Sequence, residues 1–278
     1  MKFNLIKLYK FMVDIFLIRL ILSFITGFIW ITLLTILAER YGTKIGGAIA
    51  GIPATMVVAL LFIGITQSAD IASQATTIVP LVVGINALFV VLYIFLARMT
   101  NFVSALVLSI IGWSIIAYFL ILVKLNDLII SLIGYLALVL ISYFILEKRF
   151  NIKSHGKKAL KYTVSQLAFR SFIGGSLIFL AVLMAKIGGP LIGGIFSSFP
   201  TLTVALIVIT YMVHRDKSYT EALLKNFIIT GTISVVIFTI AVRYSYPAFG
   251  LITGTISSLA ISMVVSYLGY RFIIKKMT

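Results

Sequence analysis

Apolar runs separated by short polar gaps fill this chain almost from end to end. They lie at about 20–38, 46–66, 77–97, 102–123 and 127–146 and, after the polar stretch Glu147 to Gln166, at about 169–187, 192–212, 224–243 and 248–270. At 1.5 Å of rise per residue, each is near the length a helix needs to cross about 30 Å of hydrocarbon. The two-residue alternation of barrel strands is absent. The pattern predicts an all-α polytopic membrane protein with about nine transmembrane helices. Composition agrees, because a chain that is 62% hydrophobic and 11% charged, with mean hydropathy +1.19, cannot keep a soluble surface wet. Residues 1–18 stand apart, since Lys2, Lys7, Lys10 and Asp14 make them too charged to span and their Leu, Ile and Phe too apolar for water. They predict an interfacial N-terminal helix. No A-x-A-like cleavage site closes that segment, so it is expected to stay in the mature protein.

A fixed offset of 147 residues then organises the glycines and prolines. It lays Gly27 on Gly174, Gly42 on Gly189, Gly46 and Gly47 on Gly193 and Gly194, Pro53 on Pro200, and Gly84 on Gly231. This is the mark of a duplicated and fused unit, and fused membrane repeats belong most often to transporters. The expected organisation is repeat 1 over 19–123 with four helices, a connecting helix and basic loop over 124–168, and repeat 2 over 169–278 with four helices and a basic tail. Five crossings separate the starts of the two units. An odd number turns the second copy over, which gives a 4+1+4 inverted-topology repeat.

The net charge of +16 sits in the gaps between apolar runs, as a topology signal does. Inner positions would hold Arg40, Lys44, Arg98, the run Lys148, Arg149, Lys153, Lys157, Lys158 and Lys161, then Arg215, Lys217, Lys225 and the tail. Outer positions would hold Lys2, Lys7, Lys10, Arg19, Lys124, Lys186 and Arg243. The excess places the N-terminus outside and the C-terminus inside a plasma or inner membrane, against the contrary pull of the four N-terminal cations. Aromatics that could stack on bases do not interleave with the basic stretches, so no nucleic-acid partner is expected.

Catalytic parts are missing. The acids Asp14, Glu39, Asp70, Asp127, Glu147, Asp216 and Glu221 fall in gaps or at helix ends, as do His155 and His214, and cysteine is absent. No acid/base pair, nucleophile set or metal cluster reaches membrane depth, so neither an enzyme nor a cofactor is expected. Glu39 is the one candidate for ion coupling, although pairing with the adjacent Arg40 at the interface is the plainer reading. The positive signal is Gly46, Gly47, Gly51, Pro53 and Thr55 in one copy, matched by Gly193, Gly194, Ser197, Ser198, Pro200, Thr201 and Thr203 in the other. Proline removes a backbone donor and frees the carbonyl four residues back, here that of Ile49 or Phe196. A helix broken at that depth can turn half-helix N-termini towards a substrate. The alternative is close packing of small residues around a kink. Asn86, the one amide near the centre of a span, is either a second ligand or an interhelical hydrogen-bonding group.

The segment Gly193-Gly194 to Phe199-Pro200-Thr201, followed by a polar turn and a third helix that begins Leu223-Leu224-Lys225-Asn226 and carries Gly231, resembles the small four-helix GlpM-like membrane proteins over about residues 166–273. That resemblance implies an inner-membrane protein linked to envelope polysaccharide production and supplies no catalytic residues. The whole pattern points to a secondary transporter or flippase-like carrier for a small anionic or phosphate-bearing solute, with its site between the second and seventh helices. A non-transporting assembly factor for envelope biosynthesis is the alternative. Expected partners are the lipid bilayer and the small-molecule substrate, with a homo-oligomer left open.

Overall fold

The computed structural model describes residues 2–40, 52–152, 163–214 and 217–269, and among them it is helical. In chain order the helices are α1 (Lys2–Arg40), α2 (Ala54–Thr66), α3 (Ala69–Ala75), α4 (Val79–Met99), α5 (Phe102–Val123) and α6 (Leu128–Phe144), which ends in a π turn (Ile145–Arg149). Then come α7 (Val164–Ser197), α8 (Thr201–His214), α9 (Lys217–Phe249) and α10 (Leu251–Gly269). Gly42, Lys44, Gly46, Gly47 and Gly51 lie outside the described residues.

Six of these helices are long and apolar enough to cross a membrane: Val13–Leu37, Val79–Met99, Phe102–Val123, Leu128–Arg149, Val164–Ser197 and Gly231–Phe249. Ala54–Thr66, Thr201–Met212 and Leu251–Val265 are apolar but shorter. This is the architecture of a multi-pass helical membrane protein. α4 is its central post, with 61% of its spanning window buried, against 22% for α5 and 17% for α6. The outer helices present Val103, Val107, Ile111, Ile115, Ile133 and Leu140 to the surroundings, an apolar belt far larger than a soluble monomer tolerates.

The sequence expectation of a separate interfacial helix over 1–18 meets one continuous helix, α1, which runs from Lys2 to Arg40. Its 39 residues extend about 58 Å, well beyond the hydrocarbon thickness, and no break marks residue 18. The short helix α3 was not expected either. Its Ser68 side chain accepts from the Ile71 N–H at 3.2 Å, and Pro80 in the first turn of α4 suits a fresh helix start. In the second copy the equivalent of Pro80 is Phe227, and there the corresponding stretch runs on as the single 33-residue α9.

Helix starts follow the offset of 147 closely: α2 starts at 54 and α8 at 201, while α5 starts at 102 and α10 at 251, two residues further on. α1 packs along its counterpart α7. Phe16 faces Lys186 at 5.9 Å, Gly27 abuts Gly175, and Thr32 shares a 2.8 Å hydrogen bond with Ser171. Position rises along one helix as it falls along the other, so the pair is antiparallel. The contact is also reciprocal: a Cβ on Gly27 would strike Ile178, and one on Gly174 would strike Ile31, each four residues beyond the partner glycine. Exchange of that kind is what a twofold relation produces.

Two interruptions shape the second copy. Gly189 has φ +83° and ψ 178°, a conformation that favours glycine, and with Pro190 it divides α7 into pieces at 164–188 and 190–197. A second break follows at Ser198, Phe199 and Pro200. The apolar segment 192–212 is therefore divided between two helices at the proline where a break or kink was expected, with α8 starting immediately after it.

Candidate functional site

The two proline positions meet. Pro53 and Pro200 line one cavity of about 60 Å³, with Thr55 and Met56 from α2, Thr201, Leu202 and Thr203 from α8, Val83 and Asn86 from α4, Gly231, Thr232 and Val235 from α9, and the Ser197–Phe199 turn. That volume takes a few water molecules or a small solute. Thr55 and Met56 are at the same offset from Leu202 and Thr203 as the prolines are from each other, so equivalent positions of both copies face one space.

An α-helix leaves its first N–H groups without intrahelical acceptors. In α2 and α8, Ala54 and Thr201 turn theirs back to the carbonyls of Ile52 and Phe199, at 2.8 and 2.6 Å. The N–H groups of Met56, Leu202 and Thr203 find no acceptor among the described residues, nor do the hydroxyls of Thr55 and Thr203 find a partner. Donors thus converge on the cavity from two helix N-termini, each carrying roughly half a positive charge. No ionised side chain lines it.

The Phe196 and Ser198 carbonyls are occupied. Proline at 200 was expected to leave the Phe196 oxygen free, but the N–H groups of Ser198 and Phe199 take it, with Ser198 also donating to Ile195 at 3.1 Å. Ser197 and Ser198 donate their hydroxyls to the Gly194 carbonyl at 2.8 and 2.7 Å. Asn86 takes the Ser198 carbonyl with its Nδ2 at 2.8 Å and accepts Trp113 Nε1 at 2.7 Å. Trp113 in turn sets its ring edge-on to Phe199, 4.9 Å between centroids. Asn86 therefore holds the broken loop in place and leaves one amide hydrogen for the cavity.

Gly193 and Gly194, proposed from sequence as ligands, do not line the cavity. A Cβ on Gly194 would collide with the Ala75 carbonyl, and one on Gly193 would lie 2.5 Å from Ala185 Cβ. They let the short helix 190–197 sit against its neighbours. Glu39 ends α1, with its side chain outside the described residues.

The model of a family described as a protein of unknown function, DUF3147, matches the chain twice, over residues 20–126 and 167–275. The chain belongs to the DUF3147 family. The two DUF3147 matches begin 147 residues apart, so the duplication read from glycine and proline is a duplication of the family unit. No curated protein and no solved structure matches the chain.

Sequence reasoning missed two further features of this DUF3147 duplicate. Thr232 lines the cavity and pairs with Tyr135 of α6 at 3.2 Å, and the neighbouring Gly231 was the signal nearest to it. The second is a charged cluster at one end of the bundle. Arg98 holds Glu221 through Nε and Nη2, at 3.0 and 2.5 Å, and covers the Phe150 ring at 4.7 Å. Lys225, only 4% exposed, pairs with Glu147 and donates to the Ile152 carbonyl at 2.7 Å. No local pattern announces pairs 123 and 78 residues apart in sequence.

Proposed function

We propose that this protein is a membrane carrier for a small anionic or phosphate-bearing solute, bound between α2 and α8. The observation that carries the reading is the convergence of equivalent helix N-termini, rich in donors unengaged among the described residues, on one cavity between α2 and α8. Such a site suits an anion, because backbone donors and helix dipoles stabilise negative charge without a fixed cation that would hold it too tightly to release. The volume favours the small end of the class.

The reading includes nine crossings in a 4+1+4 inverted repeat, with the N-terminus outside and the C-terminus inside. The antiparallel, reciprocal packing of α1 on α7 supports the inversion. The charge distribution supports the orientation. Arg98 and Lys225, assigned to the inner side, share one cluster. Arg19, Lys186 and Arg243, assigned to the outer side, reach Ile65, Phe16 and Thr77 at the opposite end.

The test is flux of a panel of small anions into liposomes containing the purified protein. Uptake of at least one member is expected, with a Thr55→Val/Thr203→Val double variant roughly tenfold or more weaker in apparent affinity, since hydrogen bonds to a charged group are worth about 1.5–3 kcal/mol. Absence of flux and binding for the whole panel, with a Pro53→Ala/Pro200→Ala variant fully functional in cells, would point instead to a non-transporting envelope assembly factor.

A further inference from the structure

A second hollow, of about 510 Å³, lies between α4, α5 and the π turn that ends α6. Its wall on α4 is a stripe in which Ile85, Leu88, Leu92 and Phe95 recur every three or four residues and so share one helix face. Opposite them stand Trp113 and Ile116 of α5. Phe95 and Ile116 are exposed, so the hollow opens on the apolar flank of the bundle.

Length and depth narrow what can fill it. From Ile85 to Phe95 the stripe rises about 15 Å, half the hydrocarbon thickness and hence one leaflet. Its deep end is at Trp113, midway along α5, which closes it by donating to Asn86. Its shallow end is at the C-terminus of α4, where Arg98 holds Phe150. Arg149 stands there, the only ionised side chain on the wall, exposed and without an acidic partner among the described residues. The neighbouring carboxylates are engaged, Glu147 by Lys225 and Glu221 by Arg98. The π turn Ile145–Arg149 sets that arginine at the mouth.

We propose that this hollow is a binding site for an anionic phospholipid of the leaflet in which α4 ends, one acyl chain lying along the stripe and the phosphate held by Arg149. The bilayer supplies that chemistry at high local concentration: an apolar slot one leaflet deep and of ligand-pocket size, with a single unengaged guanidinium at headgroup level. The site is separate from the cavity between α2 and α8 and does not depend on transport.

The chain has two tryptophans, Trp30 and Trp113, so a full-length Trp30→Phe variant leaves Trp113 as the only indole. That variant is placed in vesicles containing either chain-brominated phosphatidylglycerol in a phosphatidylcholine background or the converse mixture, at equal mole fractions of brominated lipid. Quenching of Trp113 should reach half its maximum at a roughly fivefold lower mole fraction of the brominated anionic lipid, the preference expected of one basic side chain near a membrane surface. Arg149→Gln should abolish the difference and Arg149→Lys should keep it. Equal quenching by both lipids, no quenching by either, or a preference that survives Arg149→Gln would overturn the proposal.

Discussion

At the scale of single residues, small side chains and one amide decide how closely the helices approach the cavity. Gly194 and Gly27 both sit where a Cβ would collide, but with different neighbours. The first would meet the Ala75 backbone oxygen, which cannot move away, and the second the tip of Ile178, which can rotate. Gly194→Ala should therefore destabilise the protein by about 1–3 kcal/mol and Gly27→Ala by clearly less, as denaturant titration in detergent would show. Asn86→Leu removes the tie to Ser198 and leaves the Trp113 N–H without its acceptor. Each interhelical hydrogen bond in a membrane protein is worth about 0.6–1.7 kcal/mol, so a loss on the order of 2 kcal/mol is expected by the same measurement. The importance of Asn86 was visible in the sequence because a polar amide stood alone in an apolar span. Its partners were not, since they come from a loop 112 residues away and a helix 27 residues away.

Among the elements, the broken helix and the charged cluster behave differently. Pro200 and the Gly189-Pro190 pair make two cuts in what hydropathy reads as ordinary spanning segments, and the cuts expose the α8 N-terminus to the cavity. A hydropathy window averages over such cuts, so proline and glycine were the only local signs of them. The cluster at the other end of α4 joins α4, α6 and α9. Lys225 is buried while Glu147 is half exposed, which makes the pair asymmetric. Glu147→Gln leaves a buried ammonium with only the Ile152 carbonyl and should lower stability, whereas Lys225→Met leaves a solvated carboxylate and should be neutral or mildly stabilising. Thermal unfolding of the two variants side by side checks the sign of each.

For the whole molecule, the expectation that matters most is that the copies face opposite ways. The absence of cysteine makes this directly testable, because a single cysteine can be introduced without removing others. Lys44→Cys, in the stretch after α1, and Lys186→Cys, near the end of the first piece of α7, should label from opposite sides of the membrane with an impermeant reagent. Labelling from the same side would remove the inverted relation and with it the shared cavity. The connecting helix α6 gains a second role in this arrangement. Besides the inversion proposed for it, it packs against Gly84 of α4 and reaches Thr232 on the cavity wall through Tyr135.

The sequence alone determined that the chain is helical, belongs in a membrane and is built twice from one unit, because hydropathy, run length and a fixed offset are properties of neighbours along the chain. It also marked both proline positions that end up in the cavity. Only the tertiary structure decided which backbone groups there stay unengaged, that Gly193 and Gly194 pack and do not line the site, and that four charged side chains pair across helices. Those outcomes depend on contacts between segments far apart in sequence, where the geometry of approach and not the identity of adjacent residues sets each partner.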